Sequence, residues 1–350
     1  MTLTAGFIAL GTTILVIAII IGLLFRLRNR PQLQWLRHTL AWILVLIPAF
    51  FLLIIKDWQW AAHIDPVSLA FNWFHYLWIA LLVLTSGSFI MLARSERFHQ
   101  ERFGYMSRLD LFTLRFGVLL LSIEIVKQIY FANLFIGQYQ FYLLPFQFCS
   151  VPMFVCLIAP LLKPGYFKKM LYDFLSLFMF IAGFAVMVFP TTVYTQAVYI
   201  CFHTMIWHGG MAAVGIYIMT ARRVGTSFKQ WLRGGLLLSG FVLVATLTNI
   251  LIHYFGRPEM QGFKAFFLDP WAPDGYSAIF VISSFYSTFI YQWGLPIIVG
   301  FPLYLIVYLT AFGLGSMIVF LLARLCIWLM HKKEDVRKFD LTEEPISVFQ

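Results

Sequence analysis

The chain has 350 residues, of which 61% are hydrophobic and 11% are charged, and its formal net charge is +10. About a quarter of the residues in a soluble domain are charged, so this composition excludes an ordinary soluble protein. The long apolar runs also exclude a β-barrel, whose strands are short and alternating, and they predict an all-α, polytopic transmembrane helical bundle.

Nine apolar segments are each close to the length of about 20 residues that crosses a bilayer as a helix. In chain order they are 5–25, 39–55, 73–93, 111–135, 141–162, 171–189, 197–219, 235–254 and 301–330. The stretch 277–300 is also apolar, but Gly294 and Pro296 interrupt it. The sequence leaves open whether that stretch is interfacial, re-entrant or a tenth span.

The basic residues are concentrated in alternate loops. One set of loops holds nineteen Lys and Arg residues, and the other set holds three. The basic set comprises 26–38, 94–110, 163–169, 221–234 and 331–338, and the three exceptions are Lys56, Arg257 and Lys264. This bias predicts an N-terminus outside the cell and a cytoplasmic C-terminus. It indicates topology and contact with anionic lipid heads, and it argues against nucleic-acid binding.

The span pattern divides the chain into three parts. Residues 1–69 form two N-terminal transmembrane helices and an outer loop, residues 70–330 a seven-span core, and residues 331–350 a cytoplasmic tail. No cleaved signal peptide is predicted, because the first residues lack a basic region and a small-residue cleavage site. The four cysteines fall inside predicted spans, which argues against a disulfide framework. We predict a multi-pass cell-membrane protein whose partners are membrane lipids.

A cysteine near the start of the fifth span is the first candidate for chemistry. Gln147 and Cys149 lie between Pro145 and Pro152 in the stretch LPFQFCSVP. With a helix that begins near residue 141, Cys149 lies about 12 Å below the outer surface. Pro145 is then tolerated in the first turn, whereas Pro152 frees a backbone carbonyl beside Cys149. An isolated membrane cysteine is usually a small buried hydrophobe, and that alternative stays open.

Two histidines in the seventh span are the second candidate. His203 and His208 lie in CFHTMIWHGGM, and their directions differ by about 140° on a helix. Gly209 and Gly210 beside them predict the close approach of another backbone. The spacing of the histidines disfavours a zinc site, and neither a metal nor a cofactor is predicted.

Further polar residues are candidates for the wall of a substrate pocket. Glu124 stands at helical spacing from Lys127 and Gln128, so an ion pair or hydrogen bond is predicted there. The remaining candidates are His75, Asn249 and His253, near the outer ends of the third and eighth spans. Structural hydrogen bonding between helices explains each of these residues equally well.

An ordered set of motifs resembles the YwaF family of bacterial integral membrane proteins. The set runs from Phe74-His75 through LPFQFC, AGFAVMVFP and WHGGMAAVGIY to TNILIH and AFFLDPW. That family is distantly similar to an animal transmembrane phospholipid acyltransferase, which has an essential cysteine in a similar context and a histidine two spans later. The resemblance covers about residues 70–330, beyond the first two spans.

The resemblance implies specific roles for residues of this chain. Cys149 matches the nucleophile, and His208 best matches the histidine because small residues and Tyr217 follow it. His203 is the alternative, since it lies at a depth similar to that of Cys149. Gln147 departs from the pattern, because many bacterial relatives have histidine there.

Three functions follow as hypotheses. The first is a lipid acyltransferase or acyl hydrolase, in which a histidine base converts Cys149 to a thiolate that attacks an ester. The second is a non-enzymatic transporter or substrate-binding component that uses the same polar groups. The third is a membrane scaffold in which these groups only join helices.

Overall fold

The computed structural model describes residues 3–27, 30–61, 65–94, 102–103, 106–134, 148–255 and 292–330. These residues are mainly helical, in agreement with the predicted all-α class. Strand pairing among them is limited to a two-residue antiparallel hairpin of β1 (Arg102–Phe103) and β2 (Met106–Ser107), and an isolated bridge between Gln59 and Ala197.

The described helices are numbered here in chain order. They are α1 (Leu3–Leu27), α2 (Gln34–Ile55), α3 (Trp73–Arg94), α4 (Arg108–Leu134), α5 (Val151–Ile158), α6 (Tyr166–Phe174), α7 (Phe180–Val188), α8 (Val198–Ala221), α9 (Phe228–Phe255) and α10 (Ile297–Met330). A π-helical turn, Leu175–Met179, joins α6 to α7, and short 3-10 turns occupy Pro31–Leu33, Pro66–Leu69, Ala159–Leu161 and Pro190–Thr192. Helix α7 ends before Phe189 because the proline that follows disfavours helical geometry there.

Every predicted span overlaps a described helix, and five helices are long and apolar enough to cross a membrane. Those five are Thr4–Leu27, Gln34–Ile55, Trp73–Arg94, Tyr166–Val188 and Pro302–Leu329. The total of nine spans and their orientation stay predictions. Residues 277–291 of the ambiguous stretch and the tail 331–350 lie outside the described residues.

Helix α8 is the centre of the bundle. It packs against α2, α3, α4 and α7, and most of its side chains are buried. By contrast, α1, α3 and α10 expose large apolar side chains on their outer faces, such as Phe25 (69% exposed) and Met91 (76% exposed). Apolar side chains outside and polar side chains inside are the arrangement expected of helices in lipid.

A buried carboxylate on α6 joins three elements. Asp173 is fully buried, and its two oxygens accept hydrogen bonds of 2.6 Å from Arg222 Nη1 and Arg233 Nε. A buried charge is tolerated when it is paired in this way, and removal of one partner typically costs about 3–5 kcal/mol. Asp173 therefore connects α6 to the end of α8 and the start of α9.

A second buried carboxylate lies at the start of α4. Asp110 accepts from Lys168 Nζ at 2.8 Å and from the Tyr172 hydroxyl at 2.6 Å. The two carboxylates together bring the start of α4, Lys168, Arg222 and Arg233 to one end of the bundle. These positions lie in alternate loops between the predicted spans, and alternate loops lie on the same side of a membrane.

Candidate functional site

Cys149 lies in a turn, Phe148–Ser150, that directly precedes α5. The prediction of a helix that already contains Cys149 is therefore wrong for the described residues. Pro152 occupies the first turn of α5, where the missing proline N–H costs no helical hydrogen bond. Residues Pro145 and Gln147 lie outside the described residues.

The carbonyl of Cys149 is bound by a side chain from the central helix. The indole Nε1 of Trp207 donates to it at 2.9 Å. The carbonyl is available because the Met153 N–H, its helical donor in a regular α-helix, bonds to the Ser150 carbonyl instead. This hydrogen bond holds the turn of Cys149 against α8 at Trp207, the residue that directly precedes His208.

Trp207 belongs to a column of rings on one face of α8. Tyr199, His203 and Trp207 follow one another at helical spacing, with ring centroids 6.2 Å apart for Tyr199 and His203 and 5.4 Å apart for His203 and Trp207. The His203 and Trp207 rings are stacked, with 24° between their planes. Among the described residues, neither the buried Tyr199 hydroxyl nor the buried His203 Nε2 has a hydrogen-bond partner.

His208 is also buried, and one of its ring nitrogens is occupied. Its Nδ1 lies 2.9 Å from the Thr204 carbonyl, one turn earlier in α8. A carbonyl only accepts, so this contact places the proton on Nδ1 and leaves Nε2 of the neutral ring as an acceptor. His208 therefore has the protonation state that a general base requires.

The α7 backbone approaches α8 closely beside the Gly209–Gly210 pair, and the glycine at the contact belongs to α7. Gly209 and Gly210 themselves face the side chains of Met187 and Phe116. The approach lies at Gly183 of α7, where a Cβ atom would meet the His208 carbonyl oxygen at 2.4 Å. The same Cβ would meet the Ala212 amide nitrogen at 2.7 Å, so the α8 backbone leaves room only for glycine at this position.

The polar residues of α4 are paired as predicted. Glu124 is buried; its Oε2 forms an ion pair with Lys127 Nζ at 2.8 Å, and its Oε1 accepts a hydrogen bond from Gln128 Nε2 at 2.6 Å. The charge of Lys127 acts on Cys149 and on both histidines of α8. The α4 residues and the Cys–His residues therefore lie in one region of the protein.

An open groove runs along the lipid-facing side of this region. Its volume is about 430 Å³, within the range usual for small-molecule sites. Helices α4 and α5 line it with Leu121, Glu124, Ile125, Gln128, Ile129, Ala132, Met153 and Phe154. Apart from Glu124 and Gln128, the wall is apolar and suits a hydrocarbon chain.

The other predicted pocket residues lie elsewhere or beyond the described side chains. His75 is buried; its Nδ1 accepts from the Phe71 N–H at 3.1 Å, and its Nε2 lies 2.6 Å from the Met187 carbonyl. Both nitrogens are thus engaged by backbone at the contact between α3 and α7. Asn249 and His253 belong to α9, but their side chains lie outside the described part of the chain.

The four cysteines, all of them among the described residues, form no disulfide, and Cys156 is fully buried against Gly117. The described residues contain no group of three His, Cys, Asp or Glu that could hold a metal ion. Sequence reasoning missed Tyr199 and Trp207, although their spacing of four residues from His203 could have identified them.

Comparison with known families gives one match. The model of the TMEM164 family matches residues 70–290, which is more than half of the chain. The matched region begins after α2 and contains α3 to α9. No curated protein and no solved structure matches the chain.

Proposed function

Because the chain belongs to the TMEM164 family and is a multi-pass integral membrane protein, we propose that it is an enzyme that transfers or hydrolyses the acyl groups of membrane phospholipids. Cys149 is the proposed nucleophile, and a histidine of α8 is the proposed base. The cell membrane is the proposed location. The relation to bacterial YwaF proteins and to an animal acyltransferase stays a prediction that agrees with this assignment.

The observation that carries the proposal is the 2.9 Å hydrogen bond from Trp207 to the Cys149 carbonyl. It ties the cysteine to the same helix face that presents His203. The Nε2 atom of His203 is buried and has no partner among the described residues, which leaves it available to accept a proton.

The proposed reaction has two steps. The histidine takes the proton of the Cys149 thiol, and the thiolate attacks the ester carbonyl of a phospholipid. A thioester forms, the ester C–O bond breaks, and the lysolipid leaves with the proton. The hydroxyl of a second lipid, or water, then attacks the thioester, and its proton returns the thiol to Cys149.

Both histidines are candidates for the base. His203 is favoured by its free Nε2 and by its stacking on Trp207. His208 is favoured by the family resemblance and by the Thr204 carbonyl, which fixes the tautomer that has a basic Nε2. Lys127 and Glu124 both lie close enough to Cys149 for their charges to act on its side chain.

The groove between α4 and α5 supplies a place for the acyl chain. Met153 and Phe154 line it within the first turn of α5, immediately after the turn that carries Cys149. An acyl chain held there would lie in an apolar channel close to the nucleophile. Glu124 and Gln128, which are hydrogen-bonded to each other, lie among the residues that line the groove.

Labelling of the purified protein by a thiol-reactive acyl probe tests the proposal. Cys149→Ser should abolish labelling, and one of the variants His203→Ala and His208→Ala should slow it by about 100-fold or more. Cys156→Ser is the matched control, because it removes a thiol seven residues further along that is fully buried. This control should label like the unmodified protein.

Release of free fatty acid or transfer to a lysolipid, followed by lipid mass spectrometry, separates hydrolysis from transfer. Unchanged labelling of the Cys149→Ser variant would rule out this nucleophile. Retained lipid binding without any product would instead favour the transporter or binding component.

A further inference from the structure

A second polar site lies between the N-terminal parts of α2 and α4. Arg115 of α4 donates from Nη2 to His38 Nδ1 of α2 at 3.0 Å. Its guanidinium also lies over the Trp42 ring, 5.4 Å from the ring centroid. The Arg115 Nε atom is buried and has no hydrogen-bond partner among the described residues.

The hydrogen-bond acceptor of Arg115 is a histidine, which is unusual. An arginine inside a membrane protein usually pairs with a carboxylate, whereas His38 is neutral when it accepts at Nδ1. The hydrogen bond therefore leaves the charge of Arg115 uncompensated by this partner. A guanidinium with a free Nε has the geometry to bind an oxyanion by two parallel hydrogen bonds.

Further positive charge converges on the same place. The charges of Arg37 and Arg108 both act on His38, and the charge of Arg37 acts on Arg115. Helices α2 and α4 pack together and begin at Gln34 and Arg108, so the positive ends of two helix dipoles are near. The positive charge gathered at this place favours an anion there.

The location matches the level of lipid phosphates. By the charge pattern of the loops, these helix ends face the cytoplasm. Arg115 lies about 10 Å along α4 from Arg108, and Glu124 lies about 14 Å further along. The cluster is therefore separate from the candidate acyl-transfer site. Next to it, α2 exposes Trp35 (66% exposed) and Ile43 (44% exposed), which offer an apolar surface for acyl chains.

We propose that Arg115, with His38, Arg37 and Arg108, binds the phosphate group of an anionic phospholipid of the cytoplasmic leaflet. Basic pockets between transmembrane helices at this level are suited to anionic lipid heads. The site holds the lipid beside α2 and α4, and it does not depend on whether Cys149 is a nucleophile.

Native mass spectrometry of the full-length protein, purified in detergent and delipidated, tests the site. Phosphatidylglycerol, phosphatidylcholine and inorganic phosphate are titrated separately, and the melting temperature is followed in parallel. Phosphatidylglycerol should bind one saturable site and raise the melting temperature. Arg115→Gln should weaken that binding about tenfold or more, as expected for loss of a charge-assisted hydrogen-bonded pair.

Lys163→Gln is the matched control, because it removes an exposed positive charge at the same predicted end of the protein. It should bind phosphatidylglycerol like the unmodified chain. Arg37→Gln provides a second test if the Arg115 variant does not fold, and it should also weaken binding. Equal binding of phosphatidylcholine, equal stabilisation by inorganic phosphate, or unchanged binding by the arginine variants that fold would overturn the proposal.

Discussion

At the scale of single residues, the turn of Cys149 illustrates how proline chemistry builds a site. Pro152 has no N–H, and the Met153 N–H bonds three residues back to Ser150. The Cys149 carbonyl instead accepts a hydrogen bond from Trp207 on another helix. A short sequence feature in α5 thereby determines which face of α8 the cysteine meets.

The Trp207 hydrogen bond gives a direct prediction. Trp207→Phe keeps an aromatic ring but removes the indole N–H that donates to the Cys149 carbonyl. The free energy of unfolding should fall by about 1 kcal/mol, the usual worth of one such bond. A lower melting temperature of the purified protein in detergent would register this loss.

Trp78→Phe is a matched control for that prediction. The Trp78 indole Nε1 is buried but has no hydrogen-bond partner within the described ranges, so the same exchange removes no bond. Its effect on the melting temperature should be smaller than that of Trp207→Phe. Equal losses from the two variants would show that ring size, and not the hydrogen bond, is responsible.

The candidate catalytic and pocket residues could be identified from the sequence, but the side chains that contact them could not. Cys149, His203 and Glu124 stand out because polar groups in hydrocarbon are costly. Trp207 and Tyr199 do not stand out, since aromatic residues are common in apolar helices. The predicted fifth span starts at residue 141, whereas α5 starts at Val151 after a turn at 148–150. Apolar composition alone does not show where a hydrogen-bonded helix begins.

At the scale of helices, the contact between α7 and α8 determines where His208 can lie. Gly183 of α7 packs directly on the backbone of α8, beside the His208 carbonyl and the Ala212 amide nitrogen. Close approach through a small residue is a common way for membrane helices to pack. The sequence located small residues on α8, but which helix presents its glycine depends on the rotation of both helices.

Gly183→Ala should therefore be strongly destabilising. The added Cβ would lie 2.4 Å from the His208 carbonyl oxygen, and backbone cannot move away as a flexible side chain can. Overpacking of this kind typically costs about 1–3 kcal/mol. The melting temperature should fall, and acyl-probe labelling should fall with it because His208 is displaced.

Gly240→Ala is the comparison for this variant. Gly240 lies in α9 with nothing within 4 Å of its Cβ position. Alanine is a better helix former than glycine by about 1 kcal/mol, so this variant should be neutral or more stable. Equal destabilisation by both changes would contradict the packing argument.

At the scale of the whole molecule, composition identifies the membrane class but not the number of spans. Within the described ranges, five helices satisfy length and composition alone, whereas α4 and α8 carry charged or polar residues that face the interior of the bundle. A helix surrounded by protein does not need an apolar exterior. The sequence therefore identifies α4 and α8 as membrane spans less clearly than it identifies α1 or α10.

The orientation of the bundle follows from its loop charges and can be tested directly. An impermeant maleimide, applied to intact cells that express the protein, should label Lys56→Cys, which lies at the predicted outer end of α2. It should not label Lys163→Cys, at an exposed position of the opposite predicted end, until the membrane is permeabilised. Peptide mass spectrometry assigns each labelled site. Buried ion pairs of Asp110 and Asp173 hold Lys168 and Arg222 at one end of the bundle. If the predicted orientation is reversed, Lys163→Cys should be labelled in intact cells and Lys56→Cys only after permeabilisation.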